Sequence, residues 1–226
     1  MPARRTAKSR APARKRAAQE HARNARKSAY QNLVLEAAGA AFACQGIPST
    51  KMEDLALEAG ISLGTLYSVY KGKAEIIDAL HEARLREIHS TSVEAEMRES
   101  DPLDALLAGS RAYVTYFIEH PDYLRMYLDE GANWGVRTSM GRGSRRAAVW
   151  ADGVEQLTNI FERGIADGTF EPGPPDRLAR VMLSMQQVLL ADWFEDGMTA
   201  STDEILDEIE VLLRRTFCTL SERVPD

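Results

Sequence analysis

Cysteine is nearly absent from this sequence. Cys44 and Cys218 are far apart and form neither a Cys-x-x-Cys nor a Cys/His ligand spacing, which argues against a disulfide framework and a thiolate metal site. Both fall on predicted helices and read as small buried apolar residues. Histidine is scarce too: His21, His81, His89 and His120 are scattered with no His-x-x-x-His pair, so neither a zinc site nor a catalytic histidine is expected, and no cofactor is called for. No apolar run approaches the roughly 18 residues of a membrane span. The basic N-terminus lacks the apolar stretch that completes a secretory signal, and its Arg-rich character reads less well as a transit peptide than as part of a cytoplasmic protein. Alternating strand patterns and internal repeats are missing as well.

Acid is what the first 27 residues lack. Ten Lys/Arg there face one acid, Glu20, so this segment carries +9 while the remainder carries −15, within an overall charge of −6. A basic arm on an acidic body expects a polyanion at one end only; a solvated, disordered tail over 1–27 explains the composition too, and the two readings are compatible. With 226 residues and 44% apolar content, the chain has material for a real core in one large or two small domains.

Helical periodicity dominates. From about Ser28 to Cys44, Val34, Ala37, Ala38, Ala41 and Phe42 recur on one face, and Gly46 and Pro48 stop that helix. Thr50-Lys-Met-Glu53 reads as a capping box opening a second helix, which Gly60 closes. Ser62 caps a short third helix to about Tyr70, and a long fourth begins near Lys73 after Lys71-Gly72. Asp101-Pro102 opens another helix, ended by His120-Pro121, and a short one covers 122–130. A glycine-punctuated loop follows, then a helix from Ser144 to Asp167 capped by Gly168. Two amphipathic helices finish the chain, 176–195 with an inner stripe of Leu178, Val181, Met182, Met185, Val188, Leu189 and Asp192, and 203–222 with Ile205, Ile209, Leu212, Leu213, Phe217 and Leu220.

A helix, a tight turn at Gly60-Ile61-Ser62 and a short helix make the helix-turn-helix plan, whose second helix enters the DNA major groove. The surrounding residues 33–80, LVLEAAGAAFACQGIPSTKMEDLALEAGISLGTLYSVYKGKAEIIDAL, resemble the N-terminal domain of the TetR (tetracycline-repressor) family: the AA-x-x-x-F helix, the Thr-initiated helix with Asp-Leu-Ala, Ala-Gly-Ile-Ser, Gly-Thr-Leu-Tyr, and the lysine opening helix four. The resemblance implies an all-α chain of about nine helices. A basic arm (1–27) precedes a three-helix DNA-binding domain (28–73, its helix-turn-helix at 51–70) and a helical effector-binding and dimerisation domain (74–222).

Within the motif, Leu55, Ala56, Ile61, Leu66 and Tyr70 are expected to lock helices two and three together. Thr50 and Lys51 stand at a helix N-terminus, where free N–H groups and a cation suit a phosphate, and Lys73 repeats that arrangement. In the family, residues matching Tyr67 and Lys73 touch the DNA backbone, and the resemblance implies the same here. The DNA-facing side of helix three should comprise its capping Ser62 and then Leu63, Gly64, Thr65 and Ser68. Gly64 permits close approach, Thr65 can meet a thymine methyl, and Ser68 can bond to several bases. The segment departs from the family where Leu63 replaces a polar residue and Ser68-Val69 replace a common His or Tyr. With no Arg, Asn or Gln for bidentate readout, DNA shape and backbone contacts should carry more of the specificity.

For the C-terminal body, the resemblance implies a homodimer through helices 176–195 and 203–222 on a palindromic operator, repression relieved by a small molecule, and no membrane partner. The stripes fit a monomer's core nearly as well. Tyr113, Tyr116, Phe117, Tyr123, Met126, Tyr127, Trp134, Trp150, Phe161, Met185, Gln186 and Trp193 are the candidate lining of an effector pocket suited to an apolar or aromatic molecule, though such residues at helical spacing also make ordinary core. His120-Pro121-Asp122 is explained by a helix boundary, and Gly141-Arg142-Gly143-Ser144 lacks the strand and the Gly-Lys-Ser/Thr ending of a phosphate loop. No catalytic constellation is visible, so an enzyme is not expected. The competing readings are an activator or low-specificity DNA organiser using the basic arm, and, from another class, a helical small-molecule carrier or enzyme that ignores DNA.

Overall fold

A computed structural model describes residues 10–129, 145–220 and 222. Among these residues there are nine α-helices and, apart from one antiparallel bridge between Phe170 and Cys218, no β-structure. They are α1 (Arg10–Gln45), α2 (Met52–Glu58), α3 (Leu63–Val69), α4 (Lys73–Glu96), α5 (Pro102–Glu119), α6 (Pro121–Asp129), α7 (Arg145–Asp167), α8 (Pro175–Glu195) and α9 (Thr202–Phe217). Two compact units divide between Ile77 and Asp78, inside α4.

The first unit is built on α1, which runs for 36 residues and begins well before the expected Ser28. Residues 10–27, read as an arm outside the helix, are helical from Arg10 onward. The cause is alanine, lysine and arginine, strong helix formers, with Pro12 in the first turn where a missing N–H costs nothing. Periodicity missed it because this stretch has no apolar stripe: Arg14 and 16–29 are all exposed. The stripe begins at Val34, and Val34, Ala37, Ala38 and Phe42 are buried against Leu55 and Ala56 of α2 and Leu66 and Val69 of α3. Ile61 is only half-buried, while Leu55, Ala56, Leu66 and Tyr70 form the expected core. Gly60 ends α2 with φ 64°, and the Ile61 N–H reaches back to the Ala56 carbonyl at 3.0 Å, the left-handed closure that glycine permits.

In the second unit α5 is central, in contact with α6, α7, α8 and α9. Its start is fixed by Asp101, whose carboxylate accepts from the N–H groups of Leu103 and Asp104 at 2.8 and 3.1 Å, with Pro102 at the first helical position. Phe117, Leu124, Tyr127, Phe161, Met182, Leu190 and Leu213 fill the core.

Three expectations need correcting here. Helix α9 stops at Phe217 rather than 222, because Cys218 turns extended and the backbone pairs with the connector after α7: Glu171 N–H donates to the Phe217 carbonyl at 2.8 Å and Thr219 N–H to Thr169 at 3.0 Å. Cys218 is therefore buried but off the helix, Cys44 is exposed, and Leu220 lies outside the helix and is exposed. Helix α8 carries two apolar faces where one was read. Ala179, Met182, Gln186, Leu190 and Trp193 point inward, whereas Val181, Val188 and Asp192 are exposed.

Candidate nucleic-acid interface and internal cavity

The turn before α3 and its first residues are shaped by hydroxyls. Ser62 Oγ accepts the Thr65 N–H at 3.1 Å and lies 2.8 Å from Thr65 Oγ1; Ser68 Oγ donates to the Thr65 carbonyl at 2.6 Å. With Leu66 and Val69 turned into the core, the opposite side of α3 presents Ser62, Gly64, Tyr67 and Ser68 to solvent, with Leu63 and Thr65 half-exposed. Because the Ser68 proton is committed to the backbone, its oxygen offers acceptor lone pairs outward, suited to a base amino group. Residues 59–74 contain no acid but include Lys71 and Lys73, and the next carboxylate along the chain, Glu75, accepts the Lys71 N–H at 2.6 Å.

Two predicted contact residues are turned the other way. Thr50 is 1% exposed and its hydroxyl donates to the Gly46 carbonyl at 2.8 Å. The cap of α2 falls one residue later than expected: Lys51 is the N-cap, and its N–H donates to Asp54 Oδ2 at 3.0 Å, replacing the Thr50–Glu53 box. The Lys73 ammonium donates to the carbonyls of Ile47 (2.6 Å), Thr50 (2.9 Å) and Pro48 (3.3 Å), so it ties down the α1–α2 turn. Lys51 stays exposed, as does Lys71, an exposed base beside α3 that sequence reasoning passed over.

The stretch that forms this helix, glycine turn and solvent-facing two-turn helix lies within residues 34–80, which match the family model "Bacterial regulatory proteins, tetR family". Relatives carry the likeness further along the chain. The HTH-type transcriptional repressor SCO4008 of Streptomyces coelicolor is 26% identical over 192 residues, covering 80% of this chain and 92% of its own. An uncharacterized HTH-type transcriptional regulator, YhgD of Bacillus subtilis, is 26% identical over 166 residues, 72% of this chain and 83% of its own. Among solved structures, the TetR-family regulator PfmR of Thermus thermophilus superposes with a TM-score of 0.65 at 25% identity, over 80% of this chain and 97% of its own.

Residues 34–80 thus match the tetR family, and the chain is similar to HTH-type transcriptional repressors over most of its length. It is a DNA-binding transcriptional regulator.

The second unit of this regulator holds a cavity of about 80 Å³ among α4, α5, α7 and α8. Of the residues proposed from sequence, Tyr113, Trp150 and Gln186 line it. The others lie elsewhere. Tyr116 donates to Glu87 Oε2 at 2.6 Å and stacks on His120 with ring centres 4.3 Å apart. Phe117 stacks on Tyr123 at 5.7 Å and lies 5.5 Å from Tyr127, and Met126 is buried. Phe161 packs on Phe170 and Phe217. Trp193 is buried, its indole N–H donating to the Ala200 carbonyl at 3.1 Å. Met185 lies in a groove formed by α8 and Leu212 of α9. Trp134, like Gly141–Ser144 and residues 1–9, lies outside the described residues. Aromatic character failed as a guide because aromatics fill core and cavity alike.

What sequence reasoning missed is the polar part of the wall. Leu85, Ile88, Ser92 and Glu96 follow one another along a single stripe of α4, and all four line the cavity. A carboxylate on an otherwise apolar stripe was the available signal. Glu96 is 6% exposed and its side chain rests on Gly109, where an added Cβ would come within 2.7 Å of Glu96 Cγ. Burial pushes its carboxyl up to about 7, against the opposing charge of Arg163. Glu96 Oε2, Ser92 Oγ, Trp150 Nε1 and Gln186 Oε1 are buried without a hydrogen-bond partner, whereas Gln186 Nε2 donates to Ser110 Oγ. Among the described residues no group of three His, Cys, Asp or Glu could hold a metal ion, and no helix is long and apolar enough to cross a membrane.

Proposed function

We propose that this regulator is a cytoplasmic repressor that grips a palindromic operator as a homodimer and lets go when a small molecule fills the cavity between α4, α5, α7 and α8. It acts by binding and carries out no reaction. The observation behind the first half is the exposed face of α3, Ser62, Gly64, Tyr67 and Ser68, which carries no carboxylate of its own and is flanked by the exposed Lys51 and Lys71. SCO4008 is named a transcriptional repressor, as is KstR2 of Mycobacterium tuberculosis, 26% identical over 143 residues.

Dimerisation is supported by the outer face of α8. Val181 and Val188 are 40% and 58% exposed, and with Met185, Leu189 and Leu212 they line a groove of about 510 Å³ bounded by Arg177 and Arg180. A matching face on a second copy would cover it and set two recognition helices about 34–36 Å apart, one turn of DNA. Ligand release is supported by α4, whose residues belong to both compact units. Its first residue, Lys73, secures the turn before α2, and its far end supplies Ser92 and Glu96 to the cavity. Ligand pockets run to roughly 300–1,000 Å³, so a ligand must spread the walls of a cavity this small. A ligand that favours a shifted α4 lowers operator affinity by the difference in its affinity for the two states.

The basic stretch of α1 adds a second reading within DNA binding. Arg14, Arg16, Arg23, Arg26 and Lys27 are exposed on a helix with no apolar cover, an electrostatic footprint suited to phosphates irrespective of sequence. Footprinting on the DNA upstream of the protein's own gene separates the two. A repressor gives a discrete, symmetric protected site, whereas a continuous footprint without boundaries selects the low-specificity organiser and overturns the repressor reading.

A further inference from the structure

We propose that the cavity is built for a lipophilic amine: an apolar body ending in a protonated nitrogen that the Glu96 carboxylate and the Gln186 amide oxygen receive together. The inference rests on the reading of this cavity as the effector site and adds the chemistry of what enters it.

The two acceptors border the same point of the wall. Glu96 lies on Gly109, and Gln186 donates its N–H to the hydroxyl of Ser110, the next residue of α5. That donation orients the amide so that Oε1 is left over, and both Gln186 Oε1 and Glu96 Oε2 are buried with no partner. Two unmatched acceptors in one apolar wall are costly, each by the desolvation of a polar group that regains nothing. The protein itself supplies no ion pair to Glu96 among the described residues; Arg163, the cation that influences it, has an exposed side chain. An ammonium group carries three donors and a positive charge, so it satisfies both oxygens and neutralises the buried carboxylate in one contact. A hydroxyl brings a single proton and no charge. A carboxylate would set like charge against Glu96. Aliphatic Leu85, Ile88, Val149 and Leu157 supply much of the rest of the wall, beside the polar or aromatic Ser92, Tyr113 and Trp150, and Met182 with its flexible side chain can yield to the body of the ligand. At about 80 Å³ the cavity is smaller than the roughly 150 Å³ that takes a benzene ring, so entry of the body and movement of the walls are one event.

The test uses the full-length protein and matched probes: octylamine, 1-octanol and octanoate, then 2-phenylethylamine with its alcohol and acid counterparts. Titration calorimetry should give at least tenfold tighter binding for an amine than for its alcohol, and weaker binding still for the acid. Glu96→Gln should cut amine affinity at least tenfold and narrow the gap to the alcohol; Gln186→Met, a second variant, should weaken the amine in the same direction. Equal or tighter binding of alcohol or acid, silence of both amines, or an amine affinity indifferent to both substitutions overturns the proposal. Gel shifts on the upstream DNA, run in parallel, keep the two readings apart. An amine that binds without releasing DNA sinks the effector-site reading and leaves the ligand chemistry standing. An acid that binds and releases DNA does the reverse.

Discussion

The Lys73 ammonium donates to the Thr50 carbonyl at 2.9 Å while the Thr50 hydroxyl donates to Gly46 at 2.8 Å, so the two residues close the α1–α2 turn from opposite sides. A cation expected on a phosphate is thereby a brace that sets where α2, and α3 behind it, begin. Lys73→Met should remove charge-assisted bonds worth roughly 1–3 kcal/mol and leave carbonyls of Ile47 and Thr50 without a donor. The expected result is a lower melting temperature together with weaker binding to operator and random DNA alike. Tyr67→Ala, at a position 49% exposed, should weaken both DNAs with the melting temperature unchanged. A Lys73→Met protein that melts like the parent but has lost DNA affinity would return Lys73 to the phosphate backbone.

How much of this was legible in the sequence depends on the kind of signal. Most residues that act through backbone chemistry read true, among them Asp101 before Pro102, Ser62 before α3, and Gly60 and Gly168, both with positive φ, whereas the cap of α2 fell on Lys51 and not Thr50. The apolar stripe of α1 read true from Val34 onward because burial repeats every three to four residues. The same criterion was blind to residues 10–27, which are helical without burying anything. It also merged the two faces of α8, since the exposed and the buried apolar residues there obey a single periodicity. Lys73 was misread because the carbonyls it meets lie 23 to 26 residues away in sequence, a distance no local pattern encodes. Glu96 was passed over for a different reason: its place on the stripe of Leu85 and Ile88 was there to read, but only the fold shows that this stripe faces a cavity and not water.

Deleting residues 2–27 should weaken DNA binding and flatten its salt dependence. The segment carries +9, and each phosphate contact contributes about 0.9 to the slope of log affinity against log salt. A fall in slope of at least about 2 is expected, with operator preference over random DNA retained because α3 is untouched. Affinity measured between low and moderate salt on both DNAs checks this; an unchanged slope makes the basic stretch of α1 a bystander.

Val188 is the most exposed apolar residue of α8, at 58%. A charge there should cost the folded protomer little, since the side chain leaves the core face to Gln186 and Leu190. In a paired interface the same charge is buried without a partner, a loss of several kcal/mol. Val188→Glu should therefore yield a monomer by light scattering with unchanged helical circular dichroism, and operator binding should fall at least tenfold. A dimer that survives the substitution moves the interface elsewhere.

Glu96 gives stability a pH dependence whose sign follows from its environment. Its carboxyl titrates near 7 in the folded protein, raised from 4.5, so between those values the folded state holds a proton that the unfolded state has released. This contribution is complete below about pH 4.5 and fades as pH climbs through 7. The groups around it that could change the sign are Arg163 and Trp150 on α7, His89 on α4, and Tyr113 on α5; of these only Arg163 opposes the rise. Glu96→Gln, which keeps the shape and cannot ionise, should be close to the parent at pH 5 and more stable by about 2–3 kcal/mol at pH 8. Urea denaturation of both proteins at the two pH values measures the difference. A gap that fails to widen with pH would mean that the carboxylate is solvated or paired at neutral pH, and the cavity would then hold no unmet charge for a ligand to answer.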